Sequence, residues 1–97
     1  MKSKAEIISL LSRYKPTAQK KYGITKLGIF GSVARGEQSP DSDVDVCYEG
    51  LAPSFLTLDK IQSELEQLLD SKVDLVRVRD NMSSLLRQRI LRDGIYV

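Results

Sequence analysis

Leu27-Gly28-Ile29-Phe30-Gly31-Ser32-Val33-Ala34-Arg35-Gly36, followed by Ser42-Asp43-Val44-Asp45-Val46-Cys47-Tyr48, is the stretch that decides the fold. Leu27 to Phe30 is a short apolar run, which predicts a buried strand. Gly31 to Ser42 holds two glycines, three serines and a proline, so it reads as a turn with one helical turn at Ser32 to Arg35. Asp43 to Tyr48 alternates acidic and apolar side chains, the pattern of a strand with one dry face. Residues i and i+2 of a strand share a face, so Asp43 and Asp45 point one way and Val44 and Val46 the other.

Outward from that stretch, Ser3-Lys4-Ala5-Glu6 fits a helix capping box. Ile7, Ile8, Leu11 and Tyr14 recur at helical spacing. Pro16 predicts a break there, with a second short helical piece to about Tyr22 that Gly23 ends. Downstream, Pro53 and Ser54 open a helix to about Asp70, with Phe55, Leu58, Ile61, Leu65, Leu68 and Leu69 as its apolar stripe. Val73 to Val78 is rich in β-branched residues and predicts a strand. A last helix spans about Ser83 to Arg92, closed by Gly94, and Ile95-Tyr96-Val97 adds an edge strand or packs down. The order α-β-β-α-β-α predicts an α+β or α/β sandwich around a small sheet.

The 97 residues suffice for one small domain, taken here as residues 1–97. Apolar residues are 41% and charged residues 29%, the balance of a globular protein in water. Fifteen basic and thirteen acidic residues leave a net charge of +2, which argues against a nucleic-acid partner on electrostatics alone. One cysteine, Cys47, forbids an intrachain disulfide and is compatible with a reducing cytoplasm. Neither a signal peptide nor a membrane span is expected from the short, interrupted apolar stretches. Histidine is absent, which excludes Ser-His-Asp triads and His-ligated zinc within the chain.

The acids carry the chemistry. Asp43 and Asp45 start roughly 6.5–7 Å apart at Cα, so both carboxylates can converge on a hard cation between them. Asp74 sits mid-strand between Val73 and Leu75, where an acid is costly without a partner. Beside the Asp43–Tyr48 strand it would join the other two, and bound cations would relieve the repulsion of three carboxylates. Two plainer readings stay open: the polar face of an edge strand for the pair, and a surface ion pair with Arg77 or Lys72 for Asp74. Asp41-x-Asp43-x-Asp45 opens like a calcium loop, but Val46 and Ala52 stand where that loop needs Gly and Glu. At Gly31-Ser32 the backbone can approach a ligand closely, and amides with the Ser32 hydroxyl could hold phosphate oxygens. Arg35 would add a positive charge one turn later. The turn is neither a Walker A loop nor a dinucleotide fingerprint.

Phe30-Gly31-Ser32-x-Ala34-Arg35-Gly36 with Ser42-Asp43-Val44-Asp45-Val46 resembles the core motif of the DNA polymerase β-type nucleotidyltransferases, in particular their minimal nucleotidyltransferase (MNT) branch. The resemblance spans residues 25–78. It implies a small mixed β-sheet with helices packed mainly on one face. It implies Asp43 and Asp45 as ligands of two Mg²⁺ ions, with Asp74 completing the site and helping to activate the attacking hydroxyl. Gly31 and Ser32, with Arg35 and Ser42 beside them, would hold the phosphates of ATP or another nucleoside triphosphate. MNT proteins of this size are often antitoxins paired with a HEPN-domain toxin, which implies AMP transfer from ATP to a tyrosine of that toxin. Two alternatives are an antitoxin that neutralises by binding alone and a stand-alone transferase for a small-molecule acceptor. The short chain places the acceptor surface on a partner or on a second copy in a homo-oligomer.

Overall fold

A computed structural model describes residues 1–97. The element order is α1 (Lys4–Tyr22), β1 (Ile24–Phe30), α2 (Gly31–Ala34), β2 (Val44–Gly50), α3 (Phe55–Leu69), β3 (Val73–Arg77), α4 (Ser84–Asp93) and β4 (Ile95–Tyr96). The strands form one mixed sheet in the order β3-β2-β1-β4. β1 runs antiparallel to β2 and β4, whereas β2 and β3 are parallel. The α+β class expected from the sequence is the class observed.

Strand alternation divides the molecule into two layers of side chains. Leu27 and Ile29 of β1, Val44, Val46 and Tyr48 of β2, and Val73 of β3 enter one core with Ile7 and Leu11 of α1 and Ile61, Leu65 and Leu69 of α3. Each such side chain contributes roughly 1.5–3 kcal/mol through its removal from water. On the opposite face Phe30 and Cys47 pack with Met82 and with Ile90 of α4. The two long helices thus share one face, and the short α4 covers only the middle of the other.

Four local expectations need correction. Pro16 does not break the first helix: α1 is continuous through it. Pro16 is exposed, so the carbonyl that loses its amide partner can turn to water. Buried Leu11 and Ala18 flank it and hold both halves on the sheet. β1 begins at Ile24, three residues earlier than the apolar run, because Ile24 and Lys26 pair with β2 across an irregularity at Thr25, while the Thr25 and Lys26 side chains stay in solvent. Phe55 is not part of the α3 stripe; it is 89% exposed. Ser54 caps the helix through the Thr57 amide, and that leaves Phe55 at the first turn beyond the edge of the core. Asp43 precedes β2 rather than belonging to it.

The remaining boundaries follow their signals. The Ser3–Glu6 capping box is made in both directions, and Gly23 closes α1. Ser83 caps α4, and Ile95-Tyr96 does add an edge strand. No helix is long and apolar enough to cross a membrane.

Candidate active site

The site lies where β1 ends, α2 begins and the parallel pair β2–β3 starts. In the β2–β3 register Asp45 is the direct partner of Asp74. In the β1–β2 register Asp45 is opposite Phe30, the residue before Gly31. Asp45 and Asp74 occupy the sheet face opposite the main core, side by side on neighbouring strands. Asp43, two residues before Asp45, is exposed at the mouth of the strand.

Gly31 explains why this turn carries no side chain. Its φ is +70°, a left-handed conformation that disfavours residues with a Cβ. It is also buried against Asp45: a Cβ there would collide with the Asp45 carboxylate. The backbone of the turn and the carboxylate are therefore in van der Waals register. Ser32 is half-buried; its carbonyl accepts from the Glu37 amide at 2.8 Å, and its hydroxyl makes no hydrogen bond within the chain. Ser42 is engaged otherwise: its Oγ accepts from the Ser39 amide at 2.9 Å and lies 3.1 Å from the Ser39 hydroxyl. It shapes the loop between α2 and β2.

The electrostatics of Asp45 are distinctive. Burial pushes its carboxyl above the usual range, and the neighbouring charges of Asp74 and Asp43 push it further the same way. Arg89 and Arg35 partly offset this. Arg35 is bound in turn to the Asp93 carboxylate at 2.8 Å and to Glu37 at 3.1 Å. Asp93, whose side chain is only 6% exposed, also holds Arg92 at 3.1 Å. Arg35 thus stands near the acids with its orientation fixed from the end of α4.

Arg89 lies outside the motif, and its place near the C-terminus of α4 reads from sequence as a charge that suits the helix dipole. Its guanidinium lies over the Phe30 ring at 5.9 Å from the centroid and bears on Asp45. The signal was present in the spacing: Arg89 follows Leu86 by three residues and precedes buried Ile90 by one, so it flanks the inward face of α4.

The donor set suits a hard divalent cation. It consists of carboxylate oxygens alone, one of them half-buried and carrying surplus negative charge. No three acidic or thiol side chains are drawn tightly enough to form a ready metal cage.

Residues 12–97 match the family model described as polymerase beta, nucleotidyltransferase. The chain belongs to that family. It is similar to the protein adenylyltransferase MntA of Thermococcus cleftensis, 37% identical over 94 residues, or 95% of this chain and 93% of that protein. A crystal structure of a toxin–antitoxin with AMP-PNP shares 26% identity and a TM-score of 0.70, over 96% of this chain and 70% of the matched one. A structure of a tri-AMPylated Shewanella oneidensis HEPN toxin in complex with an MNT antitoxin matches at 21% identity and TM-score 0.66, over 94% of this chain and 70% of the matched one. At that identity the shared property is the fold. As a nucleotidyltransferase, the chain has its family motif folded as Gly31 against Asp45 and Asp45 beside Asp74.

Proposed function

We propose that residues 1–97 act as one nucleotidyltransferase domain that moves AMP from ATP to a tyrosine hydroxyl of a HEPN-domain toxin and thereby serves as its antitoxin in the cytoplasm. The observation that carries this reading is the pairing of Asp45 with Asp74 on a sheet face where Gly31 brings backbone against the same carboxylate. Similarity to a protein adenylyltransferase and to a toxin–antitoxin structure with AMP-PNP supports the donor and the class of acceptor.

In this reading Asp43, Asp45 and Asp74 would hold two Mg²⁺ ions, which would supply charge neutralisation for the triphosphate. The Gly31 backbone and the free Ser32 hydroxyl hold the β- and γ-phosphates. Arg35 and Arg89 add positive charge beside them, and Ser42 keeps the α2–β2 loop in shape. Asp74 draws the proton from the tyrosine hydroxyl as its oxygen attacks the α-phosphorus in line. The bond to the β-phosphate breaks, and pyrophosphate leaves with the electron pair. The chain provides positioning and charge rather than a covalent intermediate.

Incubation with labelled ATP, Mg²⁺ and the HEPN-domain partner tests this. Label on the partner's tyrosine, lost in an Asp43→Ala/Asp45→Ala variant, is the expected outcome. Neutralisation of the partner by that variant without label would replace catalysis with simple binding.

A further inference from the structure

The face that carries Asp45 has a second end. Along β2, Asp45, Cys47 and Glu49 point the same way, and α4 covers the middle of that row through Ile90. Beside α4, which lends it Arg87, Ile90 and Leu91, a cavity of about 570 Å³ opens at Glu49, about 13 Å from Asp45 by strand rise. Its walls carry four cations, Lys26, Arg77, Arg79 and Arg87, against two carboxylates, Glu49 and Asp80. The excess equals the net charge of +2 of the whole chain.

Those arginines are aimed by backbone and not by acids. Arg77 Nε donates to the Gly50 carbonyl at 3.3 Å, Arg79 Nη1 to the Arg77 carbonyl at 3.1 Å, and Arg87 Nη2 to the Arg79 carbonyl at 2.7 Å. Arg77 and Arg79 make no ion pair, and Arg87 reaches the fully exposed Asp80 only at 3.9 Å. Neutral acceptors fix the guanidinium planes while leaving their charge uncancelled, so an anionic group would meet donors already oriented.

A second, apolar cavity of about 540 Å³ shares Arg77 and Arg79 with the first. Tyr48, Pro53, Phe55, Leu58 and Leu75 line it. Phe55, 89% exposed, stands at its rim, and Leu91, 78% exposed, stands at the rim of the basic one. Large apolar side chains this bare, beside a concave surface, mark contact sites.

We propose that these joined cavities dock the acceptor protein through a segment bearing an apolar side chain flanked by carboxylates. The apolar residue enters between Phe55 and Leu75, and the carboxylates meet Arg79 and Arg87. This rests on the protein-acceptor reading above and assigns it a binding surface apart from the chemistry. An oligonucleotide fits less well: a phosphate path needs a row of unopposed cations, and here Glu49 and Asp80 interrupt it.

Calorimetric titration of the HEPN-domain partner into the full chain tests the docking, with labelled AMP transfer as a separate readout. An Arg79→Glu/Arg87→Glu variant weakens partner binding about tenfold or more. It raises KM for the partner while kcat and ATP affinity hold. Phe55→Asp does the same; Phe55 is bare in the fold, so this variant keeps the wild-type melting temperature. Partner binding unchanged in both variants overturns the docking surface and leaves AMP transfer standing. Binding lost in the variants while wild type transfers no label upholds the surface and overturns the transfer reading. Binding of a single-stranded RNA that both variants abolish, with partner binding intact, assigns the cavities to nucleic acid and overturns the proposal.

Discussion

Replacing Gly31 with Ala joins stability and site geometry in one measurement. The residue sits at φ +70°, and a Cβ there would run into the Asp45 carboxylate. A left-handed non-glycine residue costs about 1–2 kcal/mol. Forcing Asp45 off its rotamer, or the turn off the sheet, costs about 1–2 kcal/mol more. The sum is about 2–4 kcal/mol, which lowers the melting temperature of a domain this size by roughly 10–25 °C. The two parts separate in a double-mutant cycle. In an Asp45→Ala background the collision disappears and only the backbone cost remains, so the cycle returns a coupling of about 1–2 kcal/mol. In an Asp45→Asn background the side chain keeps its size and the coupling vanishes, which marks the effect as steric. Urea denaturation of the variants gives each free energy. Additivity of Gly31→Ala with Asp45→Ala to within about 0.5 kcal/mol would refute the contact on which the site is built.

Asp45→Asn has the opposite sign for the fold. The carboxyl of Asp45 is raised in the folded state by burial and by Asp74, so its contribution to stability is present below the unfolded carboxylate pKa and is lost as pH rises through the folded value. The metal-free variant therefore melts higher than wild type at pH 7 and has a flatter pH profile above pH 4, while transfer is abolished. Adding Mg²⁺ with ATP stabilises wild type by about 2.7 kcal/mol at a hundredfold excess over Kd, which raises its melting point, and leaves Asp45→Asn unmoved. At Glu64, hydrogen bonds from Tyr22 at 2.5 Å and Tyr14 at 2.8 Å, with Lys21 at 3.6 Å, hold the carboxyl below its usual range of 4.5. Glu64→Ala costs about 1–2 kcal/mol at pH 7, since a third of the side chain stays in water. That cost fades as pH falls through the lowered value, which acid titration of both proteins reads directly. Arg35→Ala lowers the melting point and raises KM for ATP, because Asp93 loses its 2.8 Å partner and the site loses a cation; steady-state kinetics with ATP varied checks it.

The sequence announced what rests on local periodicity and on a spaced motif. Asp45 and its alternation with Val44 and Val46 named the strand and its two faces, although Asp43 falls just before it. Asp74 stood out because an acid between Val73 and Leu75 asks for a reason. What stayed hidden depends on partners distant in the chain. Pro16 reads as a stop until Leu11 and Ala18 are seen gripping the sheet on both sides of it. Phe55 reads as core because it continues the spacing of Leu58 and Ile61, yet the sheet ends before it. Arg89 reads as a dipole charge until α4 is rotated by Ile90 onto Phe30.

Cys47 shows how these levels combine. It is the one cysteine, and its apolar strand position reads as that of an inert, partly buried thiol. It is fully buried between the acids at one end of the sheet face and the arginines at the other, and burial pushes its thiol up to about 11, beyond useful nucleophilicity at neutral pH. Its position is what matters. Together with Phe30 and Ile90 it forms the dry ridge that separates Asp45 from Glu49 on one strand. The ridge holds the two regions about 13 Å apart along the strand, farther than a Debye length of about 8 Å at physiological salt. A small apolar side chain under α4 keeps the two charged regions of opposite sign apart on a single sheet face. In the proposed function, that separation leaves the acids free to draw cations while the arginines remain available to the acceptor's carboxylates.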